Sequence, residues 1–77
     1  MDYSQRALKD IQKLEHALQE FVSYKLKNRY EEVFEWASNY FKDSKHFYDK
    51  GDYFTSFGAA NYAYGMIDAI LIIEGKK

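Results

Sequence analysis

The chain of 77 residues contains no cysteine, no proline and only four glycines. Without cysteine there is no disulfide framework and no thiolate metal site, which suits a cytoplasmic protein. Without proline, no obligatory helix breaker interrupts the sequence. Neither sign of charge is in excess: 11 basic residues stand against 12 acidic ones, a formal net charge of −1. Nucleic-acid binding draws on a basic stripe, so this balance argues against it. The opening segment MDYSQRALKD lacks the apolar core of a signal peptide. No repeat or low-complexity linker divides the chain, and its length fits a single domain over residues 1–77.

Aromatic side chains are abundant: eight tyrosines, six phenylalanines and one tryptophan. A chain this small buries only about 60% of its unfolded surface, so it needs a dense core. Rings burying about 150–250 Å² each can supply one.

Hydrophobic spacing predicts three helices, over about 3–25, 29–50 and 53–74. In the first, Ala7, Ile11, Leu14, Leu18 and Phe21 alternate in steps of four and three, with Leu8 and Val22 widening the stripe. Arg6, Lys9, Asp10, Lys13, Glu15, His16 and Glu20 populate the polar side. Asn28 with Glu31 fits a capping box opening the second helix. That helix has a broad apolar arc, Tyr30, Val33, Phe34, Ala37, Tyr40, Phe41, Phe47 and Tyr48, with Ser44 in the stripe and Trp36 at its margin. An arc this wide predicts that the second helix touches both neighbours, as the middle helix of an up-and-down antiparallel bundle. Gly51 supplies the left-handed residue that ends it, and Asp52 caps the helix that follows.

The third helix has one charged residue, Asp68, between Tyr53 and Ile73. One face carries Ala59, Ala63, Met66, Ile70 and Ile73, flanked by Ala60 and Ile67. The opposite face carries Phe57, Asn61, Tyr64, Asp68 and Leu71. Two such faces exceed what one pair of neighbours is expected to cover. The length would suffice to span a membrane, but Thr55, Ser56, Asn61 and Asp68 interrupt the run, and a mid-membrane Asp costs about 2.5–3.5 kcal/mol on insertion scales. A soluble helix is therefore expected. Gly58 and Gly65 each cost about 1 kcal/mol relative to Ala in a helix, which suggests close approach by another helix, of this chain or a second one.

The sharpest polar feature is Asn61 with Asp68, two turns apart and grouped with Tyr64 and, across the hairpin, Asp43. The structural reading is a buried network bonded to tyrosine hydroxyls or to the second helix; the functional reading is a small-ligand or catalytic site at the same four residues. Asp43 and His46 have the i, i+3 spacing of a di-metal bundle ligand pair, but that architecture needs two such motifs and two further carboxylates. No metal, no cofactor and no nucleophile triad is expected.

The run Tyr40-Phe41-x-Asp43-Ser44-Lys45-x-Phe47, then Lys50-Gly51-Asp52-Tyr53, then Ala59-x-Asn61-Tyr62-Ala63-Tyr64-Gly65-x-x-Asp68-Ala69 resembles a small archaeal family of uncharacterised helical proteins, the domain-of-unknown-function family 357. The resemblance covers most of residues 30–72 and implies a three-helix up-and-down bundle. It implies no activity. Asp43, Gly51, Asp52, Asn61, Tyr62, Gly65 and Asp68 are the family-typical positions. Taken together, these readings favour a non-enzymatic module that acts by contact, as a homodimer or with another protein, rather than on nucleic acid or membrane.

Overall fold

The computed structural model describes residues 2–77, and among these the chain forms three helices: α1 (Tyr3–Ser23), α2 (Glu31–Asp49) and α3 (Tyr53–Ile73). A 21-residue helix is about 31 Å long, and the longest dimension of the molecule is 35 Å, so each long helix runs its full length. The pairings give the topology. Tyr3 meets Phe54, Arg6 meets Phe57, Asp10 meets Asn61 and Lys13 meets Tyr64, all at one constant offset of 51 residues, so α1 and α3 run parallel. Tyr48 meets Tyr53 and Tyr40 meets Tyr62, so α2 runs antiparallel to α3. This is the all-α, up-and-down three-helix bundle that the spacing predicts.

The expected apolar stripe of α1 is the core: Ala7, Ile11, Leu14, Leu18 and Phe21 are all buried, and the last four pack with Ala37, Ala60, Ala63, Ile67, Ile70 and Leu71. Enclosing a side chain such as Phe21 contributes about 1.5–3 kcal/mol. α2 touches both neighbours, as expected, but the helix in the more extensive contact with both is α3. It packs about equally against α1 and α2, which touch each other far less. Small residues are the cause. Ala60 and Ala63 of α3 are fully buried, as are Ala7 of α1 and Ala37 of α2, and they let backbones approach closely. Near the corner, the fully buried Ser56 donates its hydroxyl to the Ser44 carbonyl at 2.6 Å. Between α1 and α2, by contrast, stand Phe34 and Phe41. They hold the helices apart around an open apolar groove of about 360 Å³ lined by Glu15, Leu18, Gln19, Val22, Phe34 and Phe41. Leu8 and Val22 therefore do not widen the buried face: they are 42% and 48% exposed, and Val22 lines this groove. The face widens on the α3 side instead, to Ala17 and to Asp10, which the polar pattern had placed outside.

The two neighbours cover much of both faces of α3 but not all: Ile73 of the first face, and Phe54 and Ile72 flanking the second, stay 74%, 67% and 57% exposed, as expected of faces too large for one pair of helices. The α1 side takes Phe57, Asn61, Tyr64 and Leu71. Ser56 and Tyr62 meet α2. The span Tyr53–Ile73 is long and apolar enough, by length and composition, to cross a membrane; one third of it is buried within the bundle.

All three helices close with the same C-terminal motif, in which C″ donates to C3 and C′ to C2. Asp52 N–H donates to Phe47 O and Gly51 N–H to Tyr48 O, with Gly51 at φ +85°. Lys76 and Gly75 repeat the pair on Leu71 and Ile72. The third instance has no glycine. Leu26 donates to Phe21 O and Lys25 to Val22 O, with Lys25 at φ +62°. Leu26, 4% exposed, anchors that motif in the core. Because Tyr30 N–H then bonds Leu26 O, the following turn is closed before Glu31, and Tyr30 becomes the N-cap of α2 without a side-chain cap. The capping box expected from Asn28 and Glu31 accordingly does not form. Asp2 and Asp52 do cap α1 and α3, accepting from Ser4 and Gln5 and from Thr55.

A left-handed residue with a Cβ costs about 1–2 kcal/mol, and the Lys25 side chain is exposed. Lys25→Gly is expected to raise the denaturant midpoint, by about 0.5–1 kcal/mol once the freer unfolded chain is allowed for. A lowered midpoint at unchanged slope would contradict the strain assigned to this turn.

Candidate functional site

The seam between α1 and α3 carries two polar clusters. In the first, Asn61 Nδ2 donates to Asp10 Oδ2 at 2.8 Å and to the Phe57 carbonyl at 3.0 Å, one turn back on its own helix. Arg6 Nε donates to the same Asp10 oxygen at 3.2 Å and the guanidinium lies over the Phe57 ring. The Asp10 side chain is 8% exposed, while that of Arg6 is half exposed. A carboxylate so enclosed needs charge-assisted partners, and it has two. Asn61 is thus bonded to α1, not to α2 or to a tyrosine hydroxyl as expected.

The second cluster begins about one turn further along. Lys13 sits over the Tyr64 ring, its ammonium 4.2 Å from the centroid. From beyond the end of α3, Lys77 folds back to donate to the Tyr64 hydroxyl at 2.8 Å and to Asp68. The bond to Asp68, and after it the one to Tyr64, pushes the Lys77 ammonium well above the ordinary lysine range. Asp68 is half-buried, with 27% of its side chain exposed against 48% for Lys77. An ion pair this wet is screened by solvent and adds little to stability.

A third polar link ties the C-cap of α3 to the start of α2. Glu74 accepts from Arg29 Nη1 at 2.6 Å and from the Tyr30 hydroxyl at 2.5 Å. Sharing its proton with Glu74 raises the Tyr30 hydroxyl above its usual value. The same bond, followed by the charge of Arg29, holds Glu74 below the usual carboxylate range. No pattern in the sequence marked Arg29, Tyr30 or Glu74, because the three meet only when the ends of two helices are brought together.

Of the four residues expected to share a site, Asn61, Tyr64 and Asp68 line one seam and Asp43 does not join them. Asp43 is exposed on α2, in a hollow of about 260 Å³ with Trp36, Asn39 and Tyr40. Gly51 and Asp52 stay at the helix corner as turn and cap. His46 packs edge-on against Phe47, and no three His, Cys, Asp or Glu side chains among the described residues come together as metal ligands would. Among the same residues, no buried side-chain nitrogen or oxygen lacks a partner. Chemically, the seam fixes register. Asp10 and Asp68 are each neutralised by a cation of the chain itself, and both Nδ2 hydrogens of Asn61 are engaged.

Three helices of this length, joined by tight turns and tied by polar cross-links at their seams, define a small helical-bundle protein. The family model described as "Protein of unknown function (DUF357)" matches residues 9–75, and the chain belongs to that family. No curated protein and no solved structure matches the chain.

The Asp10–Asn61 bond has a direct test. Asn61→Asp places a second carboxylate against Asp10, and the loss in urea melts is expected to exceed about 2 kcal/mol at neutral pH. The loss shrinks as pH falls and one of the two carboxyls takes a proton. Asp68→Leu is expected to lose no more than about 1 kcal/mol, because its partner is solvent-exposed. Equal losses for the two variants would contradict this ranking.

Proposed function

We propose that this protein works by contact rather than by chemistry, and that it associates with a second copy of itself through the outward face of α3. The observation that carries the reading is the composition of that face. Phe54, Thr55, Gly58, Tyr62, Gly65, Ala69, Ile72 and Ile73 are all exposed, and none is charged. Phe54 is 67% exposed, Tyr62 58%, Ile72 57% and Ile73 74%. A Cβ built on Gly58 or Gly65 would meet nothing within 4 Å in the described chain. The close approach that glycine permits is therefore not used inside the bundle, although each glycine costs about 1 kcal/mol of helix stability.

A second copy suits this face better than an unlike partner because the face is self-complementary. About a two-fold axis midway between Tyr62 and Gly65, an antiparallel α3 pair sets Tyr62 over the partner's Gly65, Gly58 against the partner's Ala69 and Phe54 against the partner's Ile73. Bulk falls on open space at the centre and apolar ends close over each other, the isologous contact of a two-fold dimer. Two helices crossing along about 30 Å of length, with their flanks, approach the roughly 800 Å² per partner of a standard interface. The cytoplasmic setting that the lack of cysteine suits belongs to the same reading.

Sedimentation velocity across a micromolar concentration series tests it. The wild-type chain is expected to form a dimer. Gly65→Leu is expected to keep its helical circular dichroism, since its side chain enters open space, yet to weaken association about tenfold or more, the equivalent of ~1.4 kcal/mol. A wild-type chain that stays monomeric throughout, or a Gly65→Leu chain that associates equally well, would overturn the proposal.

A further inference from the structure

The single tryptophan, Trp36, is 59% exposed on α2. It does not stand alone. The Tyr40 ring lies 6.2 Å from it at a 34° tilt, and Tyr62 of α3 meets Tyr40 edge-on at 5.1 Å and 74°. The three rings make a shelf across the α2–α3 seam, with Trp36 dividing two hollows. One, of about 260 Å³, is closed by Asn39 and Asp43; the other, of about 330 Å³, is lined by Glu32, Val33, Tyr62 and Met66. An exposed carboxylate thus stands at each end, and no lysine or arginine lines either hollow.

Elsewhere five of the aromatic rings are covered by cations of the chain itself. Arg6 lies over Phe57, Lys13 and Lys77 over Tyr64, Lys27 over Phe34, Lys45 over Phe41 and Lys76 over Tyr24. Among the described residues, no lysine or arginine lies over Trp36, Tyr40 or Tyr62. Yet indole is the strongest of the three rings for attracting a cation, and the two carboxylates add to the negative potential of the ring faces. The same carboxylates repel phosphates, so an anionic partner is disfavoured.

We propose that the Trp36–Tyr40–Tyr62 shelf binds a cationic side chain, an arginine or lysine from a basic segment of a partner protein, held over the rings and steered by Glu32 and Asp43. The proposal goes beyond self-association and does not depend on it. The shelf shares Tyr62 with the self-association face, but it is complete within one copy of the chain, and the Glu32→Gln/Asp43→Asn variant alters it without touching that face.

Because Trp36 is the only tryptophan, its emission reports this site alone. N-acetylarginine amide is titrated at constant ionic strength, with N-acetylcitrulline amide as the uncharged analogue of similar shape. The titration is run on the wild-type chain and on Gly65→Leu, so that failure to self-associate and failure to bind are read separately. The arginine probe is expected to give a saturable change in both chains and the citrulline probe none. Tyr62→Leu, at an exposed position, and the double variant Glu32→Gln/Asp43→Asn are each expected to weaken binding about fivefold. A response that does not saturate, an equal response to citrulline, or unchanged binding in the double variant would overturn the proposal.

Discussion

The near approach of α3 to both of its neighbours is the constraint from which the other features follow. Alanines supply it: Ala60 and Ala63 on α3, Ala7 and Ala17 on α1 and Ala37 on α2 are enclosed almost completely. Small side chains bring the helices close but discriminate poorly between sliding positions, since one alanine packs much like another. The polar pairs on the α1–α3 seam remove that degeneracy. Arg6, Asp10 and Lys13 meet Phe57, Asn61 and Tyr64 at one constant offset. A slip by one turn would leave Asp10 enclosed without Asn61, a loss larger than the surrounding alanine contacts could offset.

Placing α3 at the centre also decides what is left uncovered. α1 and α2 are kept apart by Phe34 and Phe41, and the groove between them stays open. The third side of α3 has no neighbour, and the aromatic shelf around Trp36 stands beside it. A three-helix bundle has too few elements to enclose a helix with one charge in 21 residues. The apolar surface that remains exposed is a consequence of this arithmetic, and it is the physical basis of the contact role proposed above.

Much of the fold was legible because it rests on local signals. The four-three stripe of α1 maps directly onto the core, and Gly51 and Gly75 adopt the positive φ that glycine at a helix end implies. The turn at Lys25 was hidden because a left-handed lysine leaves no mark in the sequence; the buried Leu26 makes it worthwhile, and that is a tertiary fact. Asn61 was rightly singled out, but its partner was sought on α2. Asp10 looked solvated because it was read with the charged residues around it, although it sits three residues after Ala7 and four before Leu14, in the row that faces α3. Which neighbour faces which side of α3 depends on the relative bulk of three interfaces, and no single stretch of sequence carries that information. The same holds for the link from Tyr30 and Arg29 to Glu74, residues more than forty positions apart.

If α3 is the helix on which the other two are assembled, its interior amides should open only when the whole bundle unfolds. Native-state hydrogen exchange measures this directly. The account predicts that the amides of Ala60, Ala63 and Ile67 exchange slowest in the chain, at the free energy of global unfolding. Exchange of those amides through a lower-energy opening, while the interior of α1 or α2 remains protected, would contradict it.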